Sequence, residues 1–566
     1  LLVPGMGASL PFLIDEGVAA AVARSLALGL YHQRCGLSNE LPFTRFTHAP
    51  CHLAAAHVPT KRNASVRERL AAMSEVEGKP QVKALQDARY PYIAKGRVDV
   101  SGGHHDAGDY GKYTIMSAQL VHHLVFAVDA IPGLGELDNL GIPESGDGES
   151  DLLQEAAIEA AFLLKMQDED GGFYFLVHPR NRPYEGDVLP DRGDAQVVFP
   201  KNSTATAAAV AALAQIGTSP RFLRDHPQEA ARYLAAAHAG WDFLEAAWAR
   251  HGPGNAYQKI HAYGDVFGDQ DEIVWAATEL FLATGDERFE RIVDKAARLE
   301  PREVRRWSWV RLFEGWGGAF RSCAFARASG RGRGFSEKTE KVCRGEVLGA
   351  AFEVAQRVRA NAYRTPLPEE DKRFRNAGWY FSTNAAFDLL AGQVLSPRPE
   401  WLQAYLSSQA FELGMNPGDL SFIAGLGWRR PREIVHQVAM NDGRLLPPSG
   451  LAIGNLVTGI PRRQPNAITA GGLTFPSDDD SAAPYAPYDR MTDVFNTSAE
   501  PTTVRLARSL IGAAWIMSMT ERAAQPWRAT TARLKREPGA AKGTWCVAVE
   551  GAPGPMDQAQ ILWNLK

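Results

Sequence analysis

The sequence predicts an all-α fold with its helices arranged as a toroid, and three observations carry that expectation. Apolar residues recur with the 3.6-residue helical period along most of the chain. No run of alternating β-branched residues is long enough to found a large sheet. The helical segments follow one another in hairpin order, separated by loops rich in Gly, Asp, His and aromatic residues.

The first helix is expected over 15–31, opening at Asp15, and the next over 116–130. Two Ala- and Leu-rich helices follow at 151–166 and 203–215, the second stopped by Gly217. Helices at 228–249 and 271–284 come next, with Gly285 closing the latter, and then 346–362. The last expected helices are 383–394, 399–413 before Gly414, and 502–519. Residues 1–14 read as a linker or the end of a preceding β domain, and 15–528 as the helical body. Within that body 57–98 is polar and charged, a long insertion. Residues 529–566 form a Gly/Pro-punctuated extension with one strand-like run at 544–549.

Charge and hydropathy exclude several functions. With 61 Lys+Arg against 65 Asp+Glu the net charge is −4, so the basic excess that neutralises nucleic-acid phosphates is missing. The longest small-apolar stretch, 205–216, is too short for a membrane span. A large enzyme or binding protein remains.

Five cysteines are too few for a disulfide framework. Cys323, Cys343 and Cys546 read as separate, small buried apolar residues. Cys35 and Cys51 differ, because His52 follows directly and His104 and His105 lie further on. Thiolate plus imidazole is a ligand set that tetrahedral zinc prefers. A Cys35–Cys51 disulfide is the rival reading.

The densest chemistry stands at 99–113, DVSGGHHDAGDYGKY. Gly102 and Gly103 permit a tight backbone course, and Asp106 and Asp109 stand three apart, on one side of a turn. Neighbouring carboxylates repel, so one tends to keep a proton, which suits acid–base work. A solvated turn or a calcium loop gives the same spacing.

This segment resembles the first signature of glycoside hydrolase family 9, the inverting cellulases, and its wording resembles the subgroup with an immunoglobulin-like domain ahead of the catalytic one. Further segments agree in order: GMGASLPF (5–12), LYHQRCG (30–36), DQDEIVWAATELFLATGD (269–286) and GMNPGDLSFIAGLG (414–427). The resemblance implies an (α/α)6 barrel with a cleft across one end, preceded by an immunoglobulin-like β-sandwich that is missing or truncated here. It implies Asp109 as the general base, Asp106 as its partner in holding water, and Glu500, opening the final helix, as the general acid. Inversion needs those acid and base carboxyls roughly 6.5–9.5 Å apart, with Glu500 protonated and Asp109 ionised.

The resemblance also implies structural zinc on Cys35, Cys51, His52 and His105, and structural calcium on Asp271 and Glu272, since oxygen ligands suit calcium. Sugar rings stack on aromatic faces, and Tyr110, Trp379, Tyr380 and Trp428 are the expected platforms, with Trp316 and Phe381 further candidates. His436 is the expected polar contact to substrate.

The chain departs from the family at three places. An Arg that often follows the glycine loop is missing near His436, the usual Asn before the acid is Ala499, and the Asn on the last helix is Leu506. The implied activity is hydrolysis of β-1,4 bonds in glucans. Two alternatives are an exo-acting β-glucosidase or β-glucosaminidase on short oligosaccharides, and a barrel that binds carbohydrate without catalysis. The implied partner is a β-linked polysaccharide or oligosaccharide, with no nucleic acid or membrane. Such polymers lie outside cells, which implies a secreted or periplasmic protein.

Overall fold

The computed structural model describes residues 2–5, 7–8, 14–58, 96–179, 188–189, 192–193, 195–199, 201–251, 269–298, 311–312, 314–367, 382–416, 419–427, 429–431, 434–443, 446–453, 500–527, 533–538 and 545–550. Its helices are α1 (Gly17–His32), α2 (Thr114–Ala130), α3 (Asp151–Lys165), α4 (Ser203–Thr218), α5 (Pro220–Asp225), α6 (Pro227–His251), α7 (Gln270–Thr284) and α8 (Glu287–Ala297). They continue with α9 (Glu314–Ala324), α10 (Glu337–Ala360), α11 (Ser382–Ala385), α12 (Phe387–Leu395), α13 (Pro399–Glu412), α14 (Gln437–Asn441) and α15 (Thr503–Ser518).

The long helices form an inner and an outer ring, the arrangement of an (α/α)6 barrel. Inner helices α2, α4, α7 and α9 pack in succession, α12 packs on α15, and α15 returns to α2. Between α9 and α12 the ring is joined by the buried ion pair of Arg321 with Asp388 at 2.7 Å. Outer helices α1, α3, α6, α8, α10 and α13 each cover a gap or a flank of that ring. Burial follows from position: α4 buries fifteen of its sixteen residues, whereas α8 buries only Phe289, Val293, Ala296 and Ala297. An apolar stripe suits an outer helix, and apolarity all round an inner one.

Three departures from the sequence reading have physical causes. Helix α9 escapes the periodicity because Gly315, Gly317 and Gly318 lower its intrinsic propensity. Those glycines are there for close packing: a Cβ at Gly315 would meet the Asp271 backbone at 2.7 Å, and one at Gly318 the Trp275 ring at 2.8 Å. Helix α10 starts at Glu337, well before residue 346, since its first turns are charged and show no apolar stripe. The expected helix at 383–394 is two, α11 and α12, broken at Ala386. Buried Glu412 draws the Thr383 amide to 2.7 Å at that break.

The cysteine reading needs one correction. Cys323 and Cys343 are bonded to each other, because α9 and α10 lie side by side and bring their Cα atoms to 6.0 Å. The bond closes a loop of 20 residues. Cys343→Ser is expected to cost about 3 kcal/mol of stability, measured by denaturant unfolding with and without reductant. Equal stability of parent and variant under non-reducing conditions would show that the bond contributes nothing.

Strands are few and short. At the N-terminal end Leu2–Val3 (β1) pairs with Gly7–Ala8 (β2). Ala56–His57 (β3), Arg97–Val98 (β4), Lys112–Tyr113 (β5), Leu176–Pro179 (β6) and Gln196–Val198 (β7) form one sheet in the order β4-β3-β7-β6-β5. The antiparallel β3–β4 pair, with Ala56 opposite Val98, closes the neck of the 57–98 insertion, whose residues 59–95 lie outside the described residues. Strands β4 and β5 bracket the 99–113 loop and so fix both its ends to one sheet. Near the C-terminal end Arg533–Pro538 (β8) pairs with Trp545–Glu550 (β9). The last strand coincides with the strand-like run read from sequence.

Candidate active site and metal centre

The 99–113 loop is held by groups distant in sequence. Gly102 and Gly103 both take positive φ, 88° and 66°, as the tight course requires. The Cys35 amide donates to the Gly103 carbonyl at 2.7 Å and the His105 amide to the Gln33 carbonyl at 2.8 Å, so the end of α1 lies along the loop. Gln33 Nε2 donates to the Ala107 carbonyl at 2.6 Å. From the other side the Thr503 amide donates to the Asp106 carbonyl at 2.8 Å, and Thr503 Oγ1 donates to the His105 carbonyl at 2.5 Å. At Gly108 a Cβ would stand 2.1 Å from the Val435 carbonyl oxygen, and the Gln437 amide donates to the Gly108 carbonyl at 2.8 Å. Only glycine lets the 434–437 segment approach that closely.

These contacts bring Asp106, Asp109 and the start of α15 together. Glu500 stands three residues before Thr503 and is 4% exposed; Asp109 is 6% exposed and Asp106 is half-buried. Burial first, and then the Asp109 charge, pushes the Asp106 carboxyl up to about 7. Burial pushes Asp109 up to about 6, partly opposed by the Gly111 amide that donates to its Oδ1 at 2.9 Å. Each raised carboxyl keeps its proton to a higher pH than a free one, and the Asp109 charge makes the ionisation of Asp106 harder.

Beside this pair Cys35, Cys51, His52 and His105 converge, all buried, with their ligand atoms within 4.8 Å of one another. Cys35 Sγ lies 3.6 Å from Cys51 Sγ and 3.4 Å from His52 Nδ1, and Cys51 Sγ lies 3.5 Å from His105 Nε2. A tetrahedral ion with ligands at zinc-like bond lengths has edges of roughly 3.8 Å between sulfurs and roughly 3.6 Å between sulfur and nitrogen. The observed edges fit such an ion. Cys35 and Cys51 are not bonded to each other, their sulfurs standing 3.6 Å apart where a disulfide has about 2.05 Å. His52 takes φ +55°, a conformation rare for a side-chain-bearing residue, and this turn aims its imidazole into the group. The four residues can hold a metal ion.

A charged network not read from the sequence backs the loop. His104 is clamped between two carboxylates of α3, with Nδ1 2.6 Å from Glu159 and Nε2 2.5 Å from Glu155. Those carboxylates outweigh the burial that opposes them and raise the imidazole to about 9, so it is a cation at neutral pH. Arg34 donates to Glu155 at 2.9 and 2.5 Å and to Glu144 at 2.8 Å. Lys112 buries its ammonium 3.3 Å from Cys35 Sγ and 3.1 Å from the Gly102 carbonyl. The available signal was the i, i+4 pair Glu155 and Glu159 in an otherwise Ala- and Leu-rich helix, where buried acids require cations.

The other sequence-derived residues are placed as follows. Tyr110 is 1% exposed, with its ring 5.7 Å from His105 and its hydroxyl donating to the Val188 carbonyl at 2.9 Å. His436 is 2% exposed; its Nδ1 accepts from the Ala439 amide at 3.3 Å, and its ring meets Phe46 edge-on at 5.4 Å. Trp316 packs in the core, stacked on Phe320. Trp379, Tyr380, Phe381 and Trp428 lie outside the described residues. Asp271 accepts the Gly315 amide at 3.2 Å, and with Glu272 it sits in the first turn of α7, where acids favour the helix dipole. Among the described residues no further acid joins those two in a metal-ligating group.

Comparison with known proteins places this arrangement. The chain is 24% identical to endoglucanase D of Acetivibrio thermocellus over 468 residues, 80% of this chain and 66% of the relative. It is 26% identical to the xyloglucan-specific endo-β-1,4-glucanase of Bacteroides ovatus over 472 residues, 79% of this chain and 72% of that protein. The chain thus spans just under two thirds of the length of the first relative. A metagenome-derived endoglucanase crystal structure of glycoside hydrolase family 9 superposes with a TM-score of 0.67 at 25% identity, covering 89% of this chain and 81% of that one. The profile described as glycosyl hydrolase family 9 matches residues 20–486, which run from within α1 to beyond α14 and carry the 99–113 loop, and end before Glu500 and α15. On that match, and on the barrel it shares with its relatives, the chain belongs to glycosyl hydrolase family 9.

Proposed function

We propose that the chain hydrolyses β-1,4-glycosidic bonds of glucans with inversion at the anomeric carbon. Asp109 draws the proton from the attacking water, Asp106 helps hold that water, and Glu500 protonates the leaving oxygen. The observation that supports this most is the 2.8 Å hydrogen bond from the Thr503 amide to the Asp106 carbonyl, which seats the start of α15 against the loop carrying both aspartates. The endoglucanase and xyloglucanase activities named for the relatives agree with a β-glucan substrate.

The metal proposed for Cys35, Cys51, His52 and His105 is zinc, because two thiolates and two imidazoles in a closed tetrahedron match its ligand preferences. Zinc there ties the end of α1 to the 99–113 loop and takes no part in bond cleavage. Asp271 and Glu272 gain no third oxygen ligand among the described residues, so no role is built on calcium. A secreted or periplasmic location suits a polymeric substrate, and the Cys323–Cys343 bond suits an oxidising compartment. Among the described residues no helix is long and apolar enough to cross a membrane.

The test is a reducing-sugar assay across carboxymethyl cellulose, xyloglucan, mixed-linked glucan, chitosan and cello-oligosaccharides, with product anomers read by NMR. Internal cuts releasing α-anomers are expected on a glucan. Release from chain ends alone would select the exo-acting reading, and no hydrolysis with retained binding would select the non-catalytic barrel. Products of β configuration would overturn the inverting mechanism.

A further inference from the structure

A buried lysine stands between the metal-ligating group and the carboxylate loop. Lys112 belongs to β5, where its backbone pairs with Val177, and its side chain is fully buried. Its ammonium donates to the Val100 carbonyl, to the Gly102 carbonyl at 3.1 Å and to Cys35 Sγ at 3.3 Å. An ammonium has three donors and no acceptor, so each N–H of Lys112 meets one acceptor. The Phe162 ring of α3 covers the group, its centroid 4.1 Å from Nζ.

A buried ammonium is tolerated when it is hydrogen-bonded and offset by negative charge. Two of the three acceptors are neutral carbonyls. The third is a sulfur that carries a full negative charge when Cys35 is a metal ligand, because ligating cysteines are thiolates. The N–H in turn draws charge from that sulfur and fixes the direction of its lone pairs, as hydrogen-bond partners behind a ligand do at metal sites.

The same side chain closes a loop. Val100 and Gly102 precede Asp106 and Asp109 in the chain, and Lys112 follows them. Its two carbonyl bonds therefore draw together the ends of the segment that carries both carboxylates. A second lysine holds the same neck from α3: Lys165 donates to the Ser101 carbonyl at 2.9 Å and pairs with Asp99 at 2.9 Å. Two lysines thus hold three successive carbonyls, and of the two it is Lys112 that donates to a ligand sulfur.

We propose that Lys112 is a positioning residue of the metal centre, whose ammonium donates to the Cys35 thiolate and to the Val100 and Gly102 carbonyls, holding the ligand in place and joining it to the neck of the carboxylate loop. The inference rests on the reading of Cys35, Cys51, His52 and His105 as a metal site and is independent of the hydrolytic reading.

The experiment uses the full chain, stripped of metal and reloaded with cobalt(II), which accepts thiolates and imidazoles in a tetrahedron and, unlike zinc, absorbs visible light. Loss of the N–H donor raises the energy of the sulfur electrons. The sulfur-to-cobalt charge-transfer band of Lys112→Met should therefore lie at longer wavelength than the parent's, and cobalt should bind about 10–100-fold more weakly in chelator competition. Lys165→Met, which loosens the same neck without touching a ligand, should keep the parent's band and affinity. Because Lys112→Met can fail to fold, a crystal structure of the zinc-loaded parent tests the contact without a substitution: Lys112 Nζ should stay within hydrogen-bonding reach of Cys35 Sγ with the ion in place. A parent that takes up no cobalt would remove the metal reading and this inference with it. A parent that loads cobalt while Lys112→Met matches its band and affinity would leave the metal reading standing and overturn the role of Lys112. An ammonium turned away from the sulfur in the zinc-loaded crystal, or an equal change in Lys165→Met, would do the same.

Discussion

Asp109→Asn is expected to lower kcat by about 10³–10⁴-fold, with Glu500→Gln falling in the same range, because each removes one of the two proton transfers that inversion requires. Neither change should unfold the protein. The carboxamide put in place of the Asp109 carboxyl would retain an oxygen for the Gly111 amide that now sits 2.9 Å from Asp109 Oδ1, and it would relieve the repulsion with Asp106. The measurement is steady-state hydrolysis of the best glucan alongside thermal unfolding of each variant. Variants that hydrolyse as fast as the parent would remove Asp109 and Glu500 from their proposed roles.

The same carboxyl sets a pH signature with opposite signs for rate and stability. A general base works only when ionised, and burial places the Asp109 transition near pH 6. The rate should therefore fall as pH drops through about 6. Stability moves the other way: the folded-state value lies above the ordinary carboxylate value near 3.9. The protonated form is thus favoured by folding, and this contribution is complete below about pH 4 and lost as pH rises through about 6. Asp109→Asn should flatten this part of the stability profile. A parent rate unchanged between pH 5 and 7 would show that no group with this value limits catalysis.

Metal removal is the second large effect. Chelation under non-denaturing conditions, or Cys35→Ser, should lower the unfolding midpoint by roughly 5–15 °C, since structural zinc contributes its binding free energy to folding. Without the ion, two buried thiols remain 3.6 Å apart beside the Lys112 ammonium, with two imidazoles that have lost their common partner. At temperatures well below the lowered midpoint kcat should change far less than stability, because the ligands hold the loop and not the sugar. Elemental analysis of the purified chain should find about one zinc per molecule. No metal, together with a Cys35–Cys51 disulfide in mass spectrometry, would overturn the assignment.

The helices were the most legible part of the chain. Most expected segments match within a few residues, because an apolar stripe or an all-apolar run states directly which side of a helix meets the core. The glycine-rich α9 and the charged start of α10 were hidden, since their burial depends on a neighbour's shape: Gly318 is there for the Trp275 ring, which no local pattern records. The metal-ligating group could be named from Cys35, Cys51, His52 and His105 through a family resemblance. Spacing alone left a disulfide open, and the distances among the four side chains favour a shared metal ion over it.

By itself the sequence determined residue chemistry and local periodicity: a mainly helical chain, two carboxylates three apart at Asp106 and Asp109, thiols and imidazoles at Cys35, Cys51, His52 and His105, and a nearly balanced net charge. Tertiary structure decided which of those groups share a dielectric. It closed Cys323 onto Cys343, clamped His104 between Glu155 and Glu159, and set the start of α15 against the 99–113 loop. It also left Arg508 Nε and Nη2 buried with no hydrogen-bond partner. The reason is that charge costs depend on distance and burial across the ring of helices, and residues hundreds of positions apart meet only once that ring has closed.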